Sequence, residues 1–179
     1  QEGMDLLVEA VEHLVRRIGR KDVHAIIVGF GPELPNVQAD VERRGLSNFF
    51  TFTGPLYGED LLLALNSCDI GVSPDPKNAM NDISTMNKVM EYMTLEKPVV
   101  QFDLKEGRAS AGEASVYAKA NDPVDFAEKI AGLMDAPDRR AEMGRIGRRR
   151  VLENLSWAHS APKLLAAYDR IFARIGGAR

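Results

Sequence analysis

Short apolar runs of strand length recur along this chain, and a helix-patterned stretch separates each from the next. His24 to Gly29 reads HAIIVG, Phe49 to Thr53 reads FFTFT, Cys68 to Ser73 reads CDIGVS and Pro98 to Asp103 reads PVVQFD. A short continuous apolar run is how a parallel strand covered on both faces is written. Between these runs, Gly31-Pro32-Glu33 opens a helix to about Arg44 that Gly45 closes. Glu59 to Ser67 and the stretch after Asn81 supply further helices. This alternation predicts an α/β fold, a Rossmann-like doubly wound parallel sheet. Ligands of such sheets bind beyond the carboxyl ends of the strands. Those ends are Gly29-Phe30-Gly31, Thr53-Gly54-Pro55, Ser73-Pro74-Asp75 and Asp103-Leu104-Lys105.

The rest of the chain completes the pattern. Leu6, Leu7, Val11 and Val15 space a helix from about Gly3 to Ile18. Leu104 to Glu113 is polar and contains glycine, so it reads as a loop. Ser115 to Lys119 reads as a short edge strand. Pro123 to Met134, Pro137 to about Asn154 and Trp157 to Ile175 read as three helices, with Trp157 the packing anchor of the last. No repeat or linker divides residues 1–179, so a single domain is expected. A sheet domain that opens on a helix is expected to lack its first strand.

Composition narrows the chemistry. With 45% hydrophobic residues among 179, the chain can bury one full core. Its formal net charge of −3 provides no basic field for nucleic acid. One cysteine, Cys68, rules out a disulfide framework or a cysteine metal cluster. It is expected to be a buried structural thiol in a reducing, cytoplasmic compartment. No apolar run approaches the roughly 18 residues of a membrane span. His13, His24 and His159 show no metal-ligand spacing.

The segment from Asn81 to Asp103, NDISTMNKVMEYMTLEKPVVQFD, carries the most chemistry. Ser84, Lys88 and Glu91 fall at i, i+4 and i+7 and would share one helical stripe. Met86, Val89, Met90 and Met93 fall on another and read as core. A helix starting at Ser84, Thr85 and Met86 would offer N–H groups, hydroxyls and a lysine to a phosphate, and a glutamate to a sugar diol. The plainer readings are Asp82 or Ser84 as a helix cap, and Lys88–Glu91 as a surface pair worth a few tenths of a kcal/mol. VGFGPEL at Val28 to Leu34 matches a dinucleotide fingerprint weakly, because Leu34 stands at the third glycine and Pro32 lies inside the turn. Gly29 and Gly31 then either touch a ligand or only turn the chain. Arg139, Arg140, Arg145, Arg148, Arg149 and Arg150, interleaved with Asp138 and Glu142, read as a solvated helical face. Peripheral association with an anionic membrane surface is the sharper alternative.

Taken in order, VGFGPEL, FTFTGPL, SCDIGVSPD, NKVMEYMTLEKPVVQFD, ANDPVDFAEKIAGLMD and LSW resemble the C-terminal half of a retaining family 4 (group 1) glycosyltransferase. Such enzymes have GT-B architecture, two facing Rossmann-like domains. Within them the chain is most similar to members with an EYM-type motif, found in polysaccharide and cell-surface glycan synthesis. The resemblance implies a hexosyltransferase that moves sugar from a nucleoside diphosphate to a hydroxyl acceptor with retention. Glu91 matches the glutamate that binds ribose, and Lys88 a lysine near the diphosphate or donor sugar. The family's other glutamate would fall at Ile83, so its work passes to Asn81 or Asp82. The helix start at Ser84, Thr85 and Met86 would hold phosphates, and backbone around Thr53 and Gly54 the base. No Asp-x-Asp is present, which implies a metal-independent donor site with no cofactor. A glycan or lipid-linked acceptor would bind through an N-terminal domain, at the inner face of the membrane. The 179 residues alone are expected to be inactive, and no side chain stands out as a catalytic nucleophile. A non-catalytic nucleotide- or phosphosugar-binding module and a GT-B sugar-nucleotide epimerase are the rival readings.

Overall fold

The computed structural model describes residues 2–176. Helix α1, Met4–His13, continues through a π-turn at Leu14–Ile18 before strand β1, Ala25–Val28. Helix α2, Leu34–Arg43, leads to β2, Phe50–Gly54, and α3, Gly58–Ser67, leads to β3, Gly71–Ser73. Helix α4, Asn87–Thr94, precedes β4, Val99–Phe102. Helix α5, Lys105–Ala111, precedes β5, Ser115–Ala118. Three helices close the chain: α6, Pro123–Met134, α7, Pro137–Arg150, and α8, Trp157–Gly176. All strand pairing is parallel: β1 with β2 in one sheet, and β3, β4 and β5 in order in another.

The strands are covered on both faces because their side chains alternate. On β4, Val100 and Phe102 point into a core shared with Leu7, Val11 and Leu14 of the first helix and Phe126 and Ile130 of α6. Val99 points the other way, to Val89 and Met93 of α4 and to Ala111 and Ala114. The methionine-rich stripe read from the sequence is this second core, with Met86 and Met90 packed at its margin. Helix α6 begins where predicted because Asp122 accepts hydrogen bonds from the N–H groups of Val124 and Asp125, ahead of Pro123 in the first turn.

Three expectations are corrected. Residues 105–111 form α5 rather than a loop. The glycine that suggested a loop is there for close approach: a Cβ on Gly107 would lie 2.5 Å from Oε1 of buried Gln101. Trp157 is 67% exposed and anchors nothing, because α8 runs away from the core with Leu165, Tyr168 and Phe172 uncovered. Cys68 is half-buried rather than buried, its Sγ 3.4 Å from the Ala64 carbonyl.

The arginine cluster has a packing task. Arg140 Nη1 donates to the carbonyls of Leu133 and Met134 at the end of α6, at 2.6 and 2.7 Å. Arg148 reaches the Thr94 carbonyl at the end of α4, and Arg150 the Ser110 carbonyl near the end of α5. Cations there meet unpaired carbonyls and the negative end of each helix dipole. Arg145 pairs with Glu142. Among the described residues no helix is long and apolar enough to cross a membrane.

Candidate functional site

The carboxyl end of β3 and the amino end of α1 meet. Gly3 caps α1 in the left-handed conformation, φ 65°, and a Cβ there would overlap the Pro74 carbonyl oxygen. Only glycine permits both. This approach sets the first turn of α1 beside Ser73-Pro74-Asp75. The Asp75 side chain is 3% exposed, and its carboxylate accepts from the Ser73 hydroxyl at 2.5 Å and from Lys88 Nζ at 2.9 and 3.0 Å. Lys88 also pairs with Glu2, whose side chain is 63% exposed. The ammonium of α4 is therefore fixed by one buried and one exposed carboxylate.

A cleft of about 800 Å3 opens next to this cluster, bounded by Glu2 to Asp5 on one side and by Val28 to Leu34 on the other. Gly29 and Gly31 line it, and Gly29 donates its N–H to the Gly54 carbonyl at 2.9 Å, so the ends of β1 and β2 are tied together. Thr53 is exposed, with its hydroxyl donating to the Gly54 carbonyl at 2.8 Å. Phe30, at the tip of the β1–α2 turn, is 81% exposed over the cleft.

The loop ahead of α4 is built differently from the sequence expectation. Helix α4 starts at Asn87, while Ser84 and Met86 are extended and Thr85 lies between them outside any helix. Ser84 therefore does not share a helical stripe with Lys88 and Glu91, and its hydroxyl donates to the Met80 carbonyl. The Thr85 hydroxyl donates to Glu106 at 2.7 Å. Asn81 is buried and donates to the Pro76 carbonyl at 2.9 Å. Asp82 caps α5 rather than α4, accepting from the Lys105 N–H at 3.0 Å with Lys77 and Lys105 both 3.6 Å away. Glu91, one turn beyond Lys88 on α4, is exposed. Thus Gly29 and Gly31 line the cleft, Gly54 is tied to it through Gly29 and Lys88 through Glu2, whereas Asp82 and Thr85 dock the 74–86 loop on α5.

Sequence reasoning named Asp75 only as a strand end. Its place between two prolines directly after a strand was the available signal. Nothing local marked Glu2 as a partner of a residue 86 positions away.

Several carboxylates are held below their usual range. The Lys105 backbone N–H does this for Asp82, helped by Lys77 and Lys105. The Arg108 guanidinium does it for Asp103, and the Lys119 backbone N–H for Asp125. Burial raises the Tyr92 phenol. Each depressed carboxylate binds fewer protons folded than unfolded, so its stabilising effect is complete above the usual carboxylate value of about 3.9 and is lost as pH falls from there through its depressed folded value. The thermal midpoint should accordingly fall on acidification below about pH 4. Asp125→Asn should flatten that fall, and an unchanged profile in the variant would remove Asp125 from the account.

The fold is Rossmann-like, of the kind that forms one half of GT-B architecture, and the similar solved structures share it. A mutant of TarM from S. aureus, solved in complex with fondaparinux, α-GlcNAc-glycerol and UDP, superposes with a TM-score of 0.80 at 23% identity, over 92% of this chain and 32% of that one. Anabaena HepE in complex with UDP superposes at 0.76 with 17% identity, over 94% of this chain and 45% of that one. The sequence profile described as glycosyl transferases group 1 matches residues 1–136, and the chain belongs to that family. It is 25% identical over 175 residues to a D-inositol 3-phosphate glycosyltransferase of Corynebacterium efficiens, covering 94% of this chain and 40% of that protein. It is 23% identical to a 2-deoxystreptamine glucosyltransferase of Streptomyces kanamyceticus, covering 97% and 44%. The chain thus spans about two fifths of the length of these relatives.

Proposed function

We propose that this chain is the donor-binding half of a retaining glycosyltransferase that takes a nucleoside-diphosphate sugar. The observation that carries the reading is the position of Lys88. Its ammonium is fixed by buried Asp75 at the carboxyl ends of the strands, beside the amino end of α1 and an open cleft. That is where an open α/β sheet binds its ligand.

In this reading the diphosphate lies against Lys88 and the first-turn N–H groups of α4, and displaces the exposed carboxylate of Glu2. Displacement is required because Asp75 and Glu2 together outweigh one ammonium. Glu91 receives the ribose hydroxyls, as the resemblance implies. Backbone at Gly29, Gly31, Thr53 and Gly54 borders the base. Ser84 and Thr85 contribute their backbone rather than their hydroxyls, which are already engaged. Cations and helix N–H groups take the place of a divalent ion in stabilising the leaving diphosphate as the glycosidic bond breaks. The acceptor, a glycan or lipid-linked hydroxyl, approaches from a second domain.

Calorimetric titration of the full-length protein with UDP, GDP and their sugars, with and without EDTA, tests this. One nucleoside diphosphate should bind saturably and indifferently to EDTA, and its sugar should support transfer. The 179 residues alone should bind weakly and give no transfer. Absence of binding to every nucleotide, or turnover by the isolated 179 residues, would refute the corresponding part.

A further inference from the structure

The two carboxylates on Lys88 are of unequal kind. Asp75 is 3% exposed and also accepts from the Ser73 hydroxyl, so it is fixed. Glu2 is 63% exposed, and among the described residues its only partner is Lys88. An exposed ion pair is held weakly. Glu2 is therefore the partner that an incoming diphosphate separates from Lys88, while Asp75 keeps the ammonium in place.

The backbone does not move with it. Gly3, next in the chain, is locked in a left-handed turn against the Pro74 carbonyl, and its own carbonyl accepts from the Leu7 N–H at 3.0 Å. Rotation of the side chain alone carries the Glu2 carboxylate off Lys88, so it stays within a side chain's length of the ammonium. In a nucleoside-diphosphate sugar the group attached to the phosphates is the sugar, which is neutral and rich in hydroxyl donors. An ionised carboxylate only accepts, so the phosphates repel it and the sugar hydroxyls match it.

The other polar side chains of this region are engaged. Asp82 accepts from the Lys105 N–H, and Glu106 from the hydroxyls of Thr85 and Ser110. Asn81 is buried with its amide nitrogen on the Pro76 carbonyl. Ile83, 74% exposed ahead of α4, has no polar side-chain atom.

We propose that Glu2 is the residue that reads the donor sugar. This rests on the nucleotide-sugar reading above and assigns the contact that selects the sugar. In the free protein Glu2 occupies Lys88. On donor binding it exchanges the ammonium for sugar hydroxyls. Once the sugar has been transferred, Lys88 is again its only partner, and its return favours release of the nucleoside diphosphate.

Glu2→Ala and Glu2→Gln in the full-length protein test this by calorimetry. UDP is compared with UDP-glucose, UDP-galactose and UDP-N-acetylglucosamine, and GDP with GDP-mannose. The quantity read is the Kd of the nucleotide divided by that of its sugar, for the best-bound sugar. Both ligands are measured on the same variant, so its folded fraction cancels. Glu2→Ala should bind the bare nucleotide more tightly, because Lys88 loses a competitor, and the sugar nucleotide less tightly. The ratio should fall at least about tenfold, the lower value for a charge-assisted hydrogen bond. Glu2→Gln keeps one acceptor and should fall between. An unchanged or raised ratio, including equal tightening of both ligands, would reduce Glu2 to a counter-ion of Lys88 and overturn the proposal while the nucleotide-sugar reading stands. Absence of binding of all these ligands to the unsubstituted protein would overturn both.

Discussion

Glu91→Ala should weaken binding of the preferred nucleoside diphosphate to the full-length protein by about ten- to a hundredfold. A carboxylate accepting two ribose hydroxyls makes charge-assisted hydrogen bonds worth roughly 1.5–3 kcal/mol, and each 1.4 kcal/mol is about tenfold in Kd. Glu91 is exposed on α4, so the substitution should leave the thermal midpoint nearly where it was. That separation makes the measurement decisive. Lost affinity in a fully folded variant assigns Glu91 to the ligand, and unchanged calorimetric affinity would remove it from the site. Glu91→Gln keeps the shape and one acceptor, and should fall between the two.

Asp75→Ala is expected to act on stability first. It removes the buried partner of Lys88 and of the Ser73 hydroxyl. Breaking a buried pair from one side typically costs about 3–5 kcal/mol. Lys88 keeps some solvent contact and the Glu2 carboxylate, so about 2–3 kcal/mol is expected here. In a chain of this size that lowers the thermal midpoint by roughly 5–10 °C. Adding Lys88→Met should recover most of the loss, because an apolar pair leaves no stranded charge. A midpoint that does not move in Asp75→Ala would show that the carboxylate is not the support of Lys88. A double variant as unstable as the single would show that Asp75 acts through Ser73 instead.

The elements themselves were largely legible. The first helix, all five strands and α6 lie close to where periodicity and capping place them, because those signals are local. Asp122 before Pro123, or HAIIVG between glycine and charge, is interpretable within a few residues. Errors arose where a local signal had a distant cause. Gly107 looks like a loop residue in isolation, yet it is the point where α5 approaches Gln101 on β4. Trp157 looks like an anchor, yet an indole packs only if its helix folds back, and α8 does not. Ser84 fell on a helical stripe only if the helix began early, and the extended backbone at Ser84 and Met86 delays it to Asn87.

The site divides the same way. Residue types and order alone determined the α/β class and where its strands end, and they carried the resemblance that singles out Lys88 and Glu91. The tertiary structure decided what holds Lys88 and where Asp82 points. Periodicity and capping are written over spans of a few residues. The pairing of Lys88 with Asp75 and Glu2, and of Gly3 with Pro74, depends on elements that meet only when the chain is packed.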